Sequence, residues 1–142
     1  MLIIEKVLVL RTTSIFEAVR EEFLAEVAQR SVPVQLVAGQ VLFAQGEMGS
    51  SLFVVVAGRL EVVVDGDVLR HLGEREAVGE MAALDPEPRS ATVTACEPST
   101  LLRINHQDLN ILMANDVEVA RGIITVLCRR LRRATSTKHS IS

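Results

Sequence analysis

The chain has 142 residues, enough for one domain built round one hydrophobic core. Its 15 Lys and Arg against 18 Asp and Glu leave a net charge of -3, so bulk electrostatics does not favour nucleic acid. No apolar run is long enough to span a bilayer. The apolar start carries Glu5 and Lys6 and lacks a basic n-region and a cleavage site, so no signal peptide is expected.

Residues Leu2 to Leu10 read as a short helical arm, with a strand as the competing reading. Residues 1–13 are assigned to this arm. Ser14 and Glu17 have capping-box spacing, and Phe16, Val19, Phe23 and Val27 recur at helical period. A helix is therefore expected from Ile15 to Gln29. From Val32 the texture changes to β-branched runs separated by glycines. These are Val34 to Val37, Val41 to Ala44, Leu52 to Val56 and Leu60 to Val64. Asp65-Gly66 is a hairpin turn into Val68-Leu69. Ala91 to Ala95 and Thr100 to Ile104 are further strands. Many short strands at this spacing predict a mainly β domain, a β-roll or jelly roll with an N-terminal helix and C-terminal helices, over residues 14–134. Helical texture returns at His106. Asp116 caps a longer helix with Ala120, Ile123, Ile124, Leu127 and Leu131 as its apolar stripe. Arg129, Arg130, Arg132 and Arg133 crowd its last turns, where cations suit the helix dipole. Residues 135–142 are polar and terminal, and a disordered tail is expected there.

With no Trp or Tyr and only Phe16, Phe23, Phe43 and Phe53, the core must come from Val, Leu, Ile and Ala. Cys96 and Cys128 are the only cysteines. Their separation reads as two buried thiols in a reducing, cytoplasmic compartment rather than a disulfide. His71, His106 and His139 are scattered, without the tight histidine and carboxylate spacing of a metal centre. No nucleophile elbow or Walker loop is present, so no enzyme is expected and no metal or cofactor is assigned.

The most informative stretch is Gly79 to Val93, Gly-Glu-Met-Ala-Ala-Leu-Asp-Pro-Glu-Pro-Arg-Ser-Ala-Thr-Val. It places the Glu80 carboxylate at the mouth of a small-residue turn and the Arg89 guanidinium further on. Turn amides with a fork-shaped cation suit a phosphate, and an acceptor-only carboxylate suits a sugar hydroxyl. Each residue also has a plain alternative. Glu80 alone would be a solvated acid at a helix start, and Arg89 a surface cation pairing with Glu87 or Asp85. Gly79 alone would only serve a tight turn.

This stretch resembles, without a gap, the phosphate-binding cassette of the cyclic nucleotide-binding domain family. The similarity extends to Gly46-Glu47-Met48-Gly49 and Leu52 to Gly58, and covers roughly residues 14 to 133. It implies an effector domain like that of catabolite-activator-like proteins. By the resemblance, Gly79, Glu80, Met81, Ala82, Arg89, Ser90 and Ala91 would hold phosphate and ribose. Glu80 would take the ribose 2′-hydroxyl, Arg89 the equatorial phosphate oxygens, and the amides of Ala82 and Ser90 further phosphate oxygens. Val62 and Leu72 would wall the base, with ordinary core residues as the competing reading. Gly46 and Gly58 read as structural. The ligand would be cAMP in preference to cGMP, and binding would shift the helix starting near Val117 about the hinge between it and the short helix near Leu109.

The sequence departs from the family in three places. Arg75-Glu76-Ala77-Val78 stands where an aromatic pair is common, implying altered packing beneath the cassette. Ser50 replaces an acid that in some members orients the arginine. The final helix lacks an aromatic lid, leaving apolar residues or an arginine near Cys128 to Leu131 for that place. These departures support a competing reading, an interaction module of the same fold with a nucleotide-unresponsive pocket. A metal-dependent cupin-like enzyme is the third. Too few residues follow Arg133 for the winged helix of DNA-binding relatives, so the output is expected in a larger parent protein or a separate effector. Leu2 to Leu10 or the final helix would mediate a homodimer.

Overall fold

The structure, a computed structural model, describes residues 1–141, with side chains through Thr135. Two four-stranded antiparallel sheets face each other, and helices from both ends of the chain cover one of them. The elements in order are α1 (Ile3–Arg11), a 3-10 turn (Ser14–Phe16), α2 (Glu21–Arg30), β1 (Val32–Leu36), β2 (Val41–Phe43), β3 (Met48–Gly49), β4 (Ser51–Ala57), β5 (Leu60–Val64) and β6 (Asp67–Leu72). They continue with β7 (Ala77–Val78), α3 (Glu80–Leu84), β8 (Glu87–Pro88), β9 (Thr92–Ala95), β10 (Ser99–Asn105), α4 (His106–Asn115) and α5 (Val117–Ile141). One sheet runs β1-β10-β4-β7, the other β2-β9-β5-β6, and β3 pairs with β8 as a short ribbon. The expected jelly-roll architecture with terminal helices is the one observed.

Strand alternation divides the interior into two cores. In β4, Leu52 and Val54 face the helices, while Phe53 and Val55 face the opposite sheet. In β10, Leu102 and Ile104 join the helical side and Leu101 the inter-sheet side. Both faces of these central strands are buried, which is why their sequences are apolar without a break. At the β5–β6 hairpin, Asp65 and Gly66 both have positive φ, 50° and 85°, as a two-residue primed turn requires.

Four expectations need correction. The helix expected from Ile15 to Gln29 is broken into the 3-10 turn and α2, with Arg20 extended between them. Ser14 does not cap a helix; its hydroxyl accepts from Arg130 at 2.8 Å instead. Both cysteines are exposed, since Cys96 lies just past a strand end and Cys128 on the outer side of α5. The buried stripe of α5 is Val119, Ile123 and Val126, while Ile124 and Leu131 are 57% and 69% exposed. The start of α5 is set by Asp116, whose carboxylate accepts from the Glu118 amide at 2.8 Å.

α1 is helical, as read, and Val7, Val9 and Leu10 pack into the same core as Leu52 and Leu102. The buried Lys6 ammonium donates to the Ser31 carbonyl at 2.9 Å. The tail expected at 135–142 falls mostly on side chains outside the described residues; helical backbone is followed through Ile141. No helix among the described residues is long and apolar enough to cross a membrane.

Candidate functional site

The short helix α3 begins where Gly79, at φ 87°, reverses the chain leaving β7. A side chain there would be strained by that backbone. The next turn delivers the chain to β8, and directly after it Arg89 is anchored through its main chain. Its amide donates to the Glu47 carbonyl at 2.7 Å, and its carbonyl accepts from the Gly46 amide at 2.8 Å. Glu47 closes its own turn by accepting from the Ala44 amide at 2.9 Å. The β2–β3 turn, residues 44–47, and the cassette are thereby bound to one another.

The Arg89 side chain then runs inward and is only 8% exposed. Its guanidinium lies 4.0 Å from the Phe43 ring centroid and 5.9 Å from that of Phe53. Space for it exists because two neighbours lack side chains. A Cβ on Gly49 would lie 2.0 Å from Arg89 Nε, and one on Gly79 would lie 2.6 Å from Nη1. Nε and Nη1 are buried and have no hydrogen-bond partner among the described residues. Arg89 therefore does not pair with Glu87 or Asp85, the plain alternative raised by the sequence. Burial pulls its pKa below the ordinary arginine value, and the negative charge of Glu47 offsets part of that. An unsatisfied buried donor costs about 1–3 kcal/mol, and a charged one more, so this guanidinium is poised for an anion.

Around it lies a cavity of about 150 Å³, lined by Phe43, Val62, Val78, Glu80, Ser90 and Ala91 among others. All of Gly79, Glu80, Met81, Ala82, Arg89, Ser90 and Ala91 border it, so the sequence-expected ligand residues are brought together. Val62 is among the walls. Leu72 is not; it borders an adjoining hollow of about 610 Å³ with Ser14, Arg75, Arg130 and Arg133. Arg70 and Glu80 line both spaces, which makes them neighbours along one groove. Gly46 and Gly58 do not line the cavity. At Gly58, φ 106° and a Cβ position 2.2 Å from Ser99 Oγ explain the need for glycine.

Glu80 faces the middle of α5, where Arg130 donates to its carboxylate. A second anchor joins α3 to α4. With its proton on Nδ1, His106 donates to the Ala83 carbonyl at 2.5 Å and accepts from Asn110 at Nε2. The Arg75 departure also has a structural role. Arg75 adopts φ 73° and its guanidinium donates to the Leu8 carbonyl at 3.0 Å and to Thr12 Oγ1 at 2.8 Å. It ties the loop before the cassette to α1. Ala77 and Val78, in place of an aromatic pair, pack on the two cores from β7.

Sequence reasoning assigned no role to Phe43, Phe53, Gly49 and Arg70 in this site. Gly49 lies in the turn already matched to the family, and that match was the available signal. No periodicity points to Phe43 or Phe53, since aromatic residues facing a sheet interior are ordinarily core.

Residues 33–116 match the family model for the cyclic nucleotide-binding domain. The chain is 27% identical over 133 residues to a CRP-like cAMP-activated global transcriptional regulator of Mycobacterium tuberculosis, covering 90% of this chain and 59% of that protein. It is 34% identical over 111 residues to the Pycsar effector protein XpPycTIR of Xanthomonas perforans, covering 75% of this chain and 37% of that one. This chain thus spans less than two thirds of these curated relatives. Among solved structures, the N-terminal domain of a transcriptional regulator from Streptomyces coelicolor superposes with a TM-score of 0.81 at 34% identity, covering 90% of this chain and 95% of that one. The Thermus thermophilus catabolite activator protein superposes with a TM-score of 0.79 at 28% identity, over 91% of this chain and 63% of that one.

Proposed function

The chain belongs to the cyclic nucleotide-binding domain family, and we propose that it is a cytoplasmic, non-enzymatic sensor whose ligand is a cyclic mononucleotide, cAMP in preference to cGMP. The observation that carries this reading is the buried Arg89 guanidinium with two unpartnered nitrogens at the floor of a cavity. The cyclic phosphate docks there on an edge of the Arg89 guanidinium and on the amides of Ala82 and Ser90. Bidentate pairing of arginine with phosphate restores the hydrogen bonds that burial removed. The ribose 2′-hydroxyl donates to Glu80, and the base extends along the groove between Val62 and Leu72. The preference for adenine draws on relatives described as cAMP-activated and on the Toxoplasma gondii kinase regulatory domain co-crystallised with cAMP, 27% identical with a TM-score of 0.71.

Transduction uses the two anchors described above. Arg130 joins the ribose-facing carboxylate to α5, and His106 joins α3 to α4. Tightening of the cassette round the phosphate moves α3, and both ties carry that motion to the terminal helices. Ligand free energy thus biases the position of α5, which a parent protein or separate effector reads.

A second copy of the chain is the proposed neighbour of α5. Val117, Ile124 and Leu131 recur at heptad spacing, and Ala120, Leu127 and Ala134 fill the alternate seam positions. Val117, Ile124 and Leu131 are all more than half exposed.

Calorimetric titration with cAMP and with cGMP tests the ligand. Saturable binding of cAMP, abolished or sharply weakened in Arg89→Ala and weakened less in Glu80→Ala, is expected. No heat with either nucleotide, from folded protein, would identify the chain as an interaction module of the same fold.

A further inference from the structure

On the face of β5 turned away from the cavity, three side chains from three chain segments meet. The ligand atoms of Glu61, His71 and Cys96 all lie within 4.8 Å of one another. One of the three scattered histidines, His71, is thus brought beside a carboxylate and a thiol, a grouping to which their sequence positions do not point. Val62 borders the nucleotide-facing cavity, so its neighbour Glu61 projects to the other side of the sheet. His71 on β6 is the cross-strand partner of Glu61. Cys96 directly follows β9, and its amide donates to the Arg59 carbonyl at 2.8 Å. The adjacent pair Leu60 and Ala95 holds the two strands in register. All three backbones are therefore fixed by sheet hydrogen bonds, while the side chains retain freedom to turn.

We propose that Glu61, His71 and Cys96 form a binding site for a divalent transition-metal ion, Zn²⁺ being the best match. A thiolate, an imidazole and a carboxylate are the donor set of a borderline-soft cation in tetrahedral geometry, whereas Mg²⁺ and Ca²⁺ take oxygen ligands. Zinc bonds of about 2.0–2.3 Å put tetrahedral donors about 3.3–3.8 Å apart. Donors already within 4.8 Å reach that spacing by small rotations of these side chains. Among the described residues, none of the three side chains is held by a hydrogen bond or ion pair, so no existing contact has to break. Beside His71 lies a hollow of about 320 Å³ bordered by Arg59, Glu76 and Glu97. With Glu61, the acidic groups outnumber the one arginine, which favours a cation. The hollow leaves the fourth coordination position open to water or an external ligand. Three ligands bridging β5, β6 and the end of β9 would clamp one edge of the second sheet.

The test is titration of the untagged full chain with Co²⁺, followed by absorption. Binding at the site gives a thiolate-to-cobalt charge-transfer band that saturates at one equivalent and is displaced by Zn²⁺. Cys96→Ser removes the band, and Cys128→Ser leaves it intact. His71→Ala and Glu61→Gln weaken Co²⁺ binding by at least about tenfold, since even supporting groups behind a ligand are worth that much. In the unmodified protein, Zn²⁺ slows alkylation of Cys96, but not of Cys128, as read by mass spectrometry. This arm needs no substitution and does not depend on any variant folding. Absence of the band and of Zn²⁺ protection overturns the proposal. So does a band that survives in Cys96→Ser.

Discussion

Arg130 on α5 donates to the Glu80 carboxylate at the start of α3, across 50 residues of sequence. Its other terminal nitrogen donates to Ser14 Oγ at 2.8 Å. One guanidinium thus joins the last helix, the cassette and the turn after α1. An ionised carboxylate offers about four acceptor sites, so Arg130 leaves room on Glu80 for a ribose hydroxyl. The ion pair orients the acid and is the contact through which, in the proposed function, α5 would follow the cassette.

Arg130→Ala should therefore separate binding from response. Affinity for cAMP is expected to fall by only about 1 kcal/mol, the scale of a partly exposed ion pair. The nucleotide-dependent change in α5, read by amide exchange or by a spin label on that helix, should be lost. A variant that keeps a full helix response would show that coupling runs through the His106 contact alone.

Gly49→Ala places a methyl group where Arg89 Nε now lies. The guanidinium must leave its slot, so nucleotide affinity should drop nearly as far as in Arg89→Ala, by roughly 2–5 kcal/mol. Combining the two substitutions should add little beyond either one, because both remove the same contact. Additive losses in the calorimetric cycle would mean that Gly49 acts independently of Arg89.

Arg89→Met should stabilise the protein in the absence of nucleotide. It removes a buried, unpartnered charge and sets a thioether against Phe43 and Phe53, forfeiting the cation–π contact. The net gain is expected at about 1 kcal/mol, a rise of a few degrees in melting temperature. Wild type should regain the lead when cAMP is added, since only it binds. A lower melting point for the variant without ligand would show that the arginine is already satisfied.

Ile124→Asp introduces a charge at the centre of the exposed seam of α5 without touching Val119, Ile123 or Val126. A dimer in sedimentation should become a monomer of unchanged helix content. A wild-type chain that sediments as a monomer at every concentration would end the proposal of a second copy there.

The cassette was legible because it is contiguous. Gly79, Glu80, Arg89 and their neighbours act through one short turn, and local backbone demands dictate residue types at fixed spacing. The strands were legible for a similar reason, since β-branched runs and the Asp65-Gly66 turn state their conformation locally. The interval around Val19 and Arg20 was not. Its helical period persists across a break, because Ile15, Phe16 and Leu24 all reach the same core from two separate elements. In α5 the sequence offers more apolar residues than one face can bury, and the packing of the 3-10 turn and α4 against it decides which of them are covered.

From its sequence alone, the chain was committed to a β-roll with an acid and a guanidinium on one loop, because these features depend on neighbours along the chain. Tertiary structure decided that the unpartnered Arg89 guanidinium lies over Phe43 and near Phe53, that Arg130 holds Glu80, and that Glu61, His71 and Cys96 converge. Each of these depends on which strands pair and which helix crosses them. Strand pairing joins residues far apart in sequence, and periodicity along a single segment carries no record of the segment it will meet.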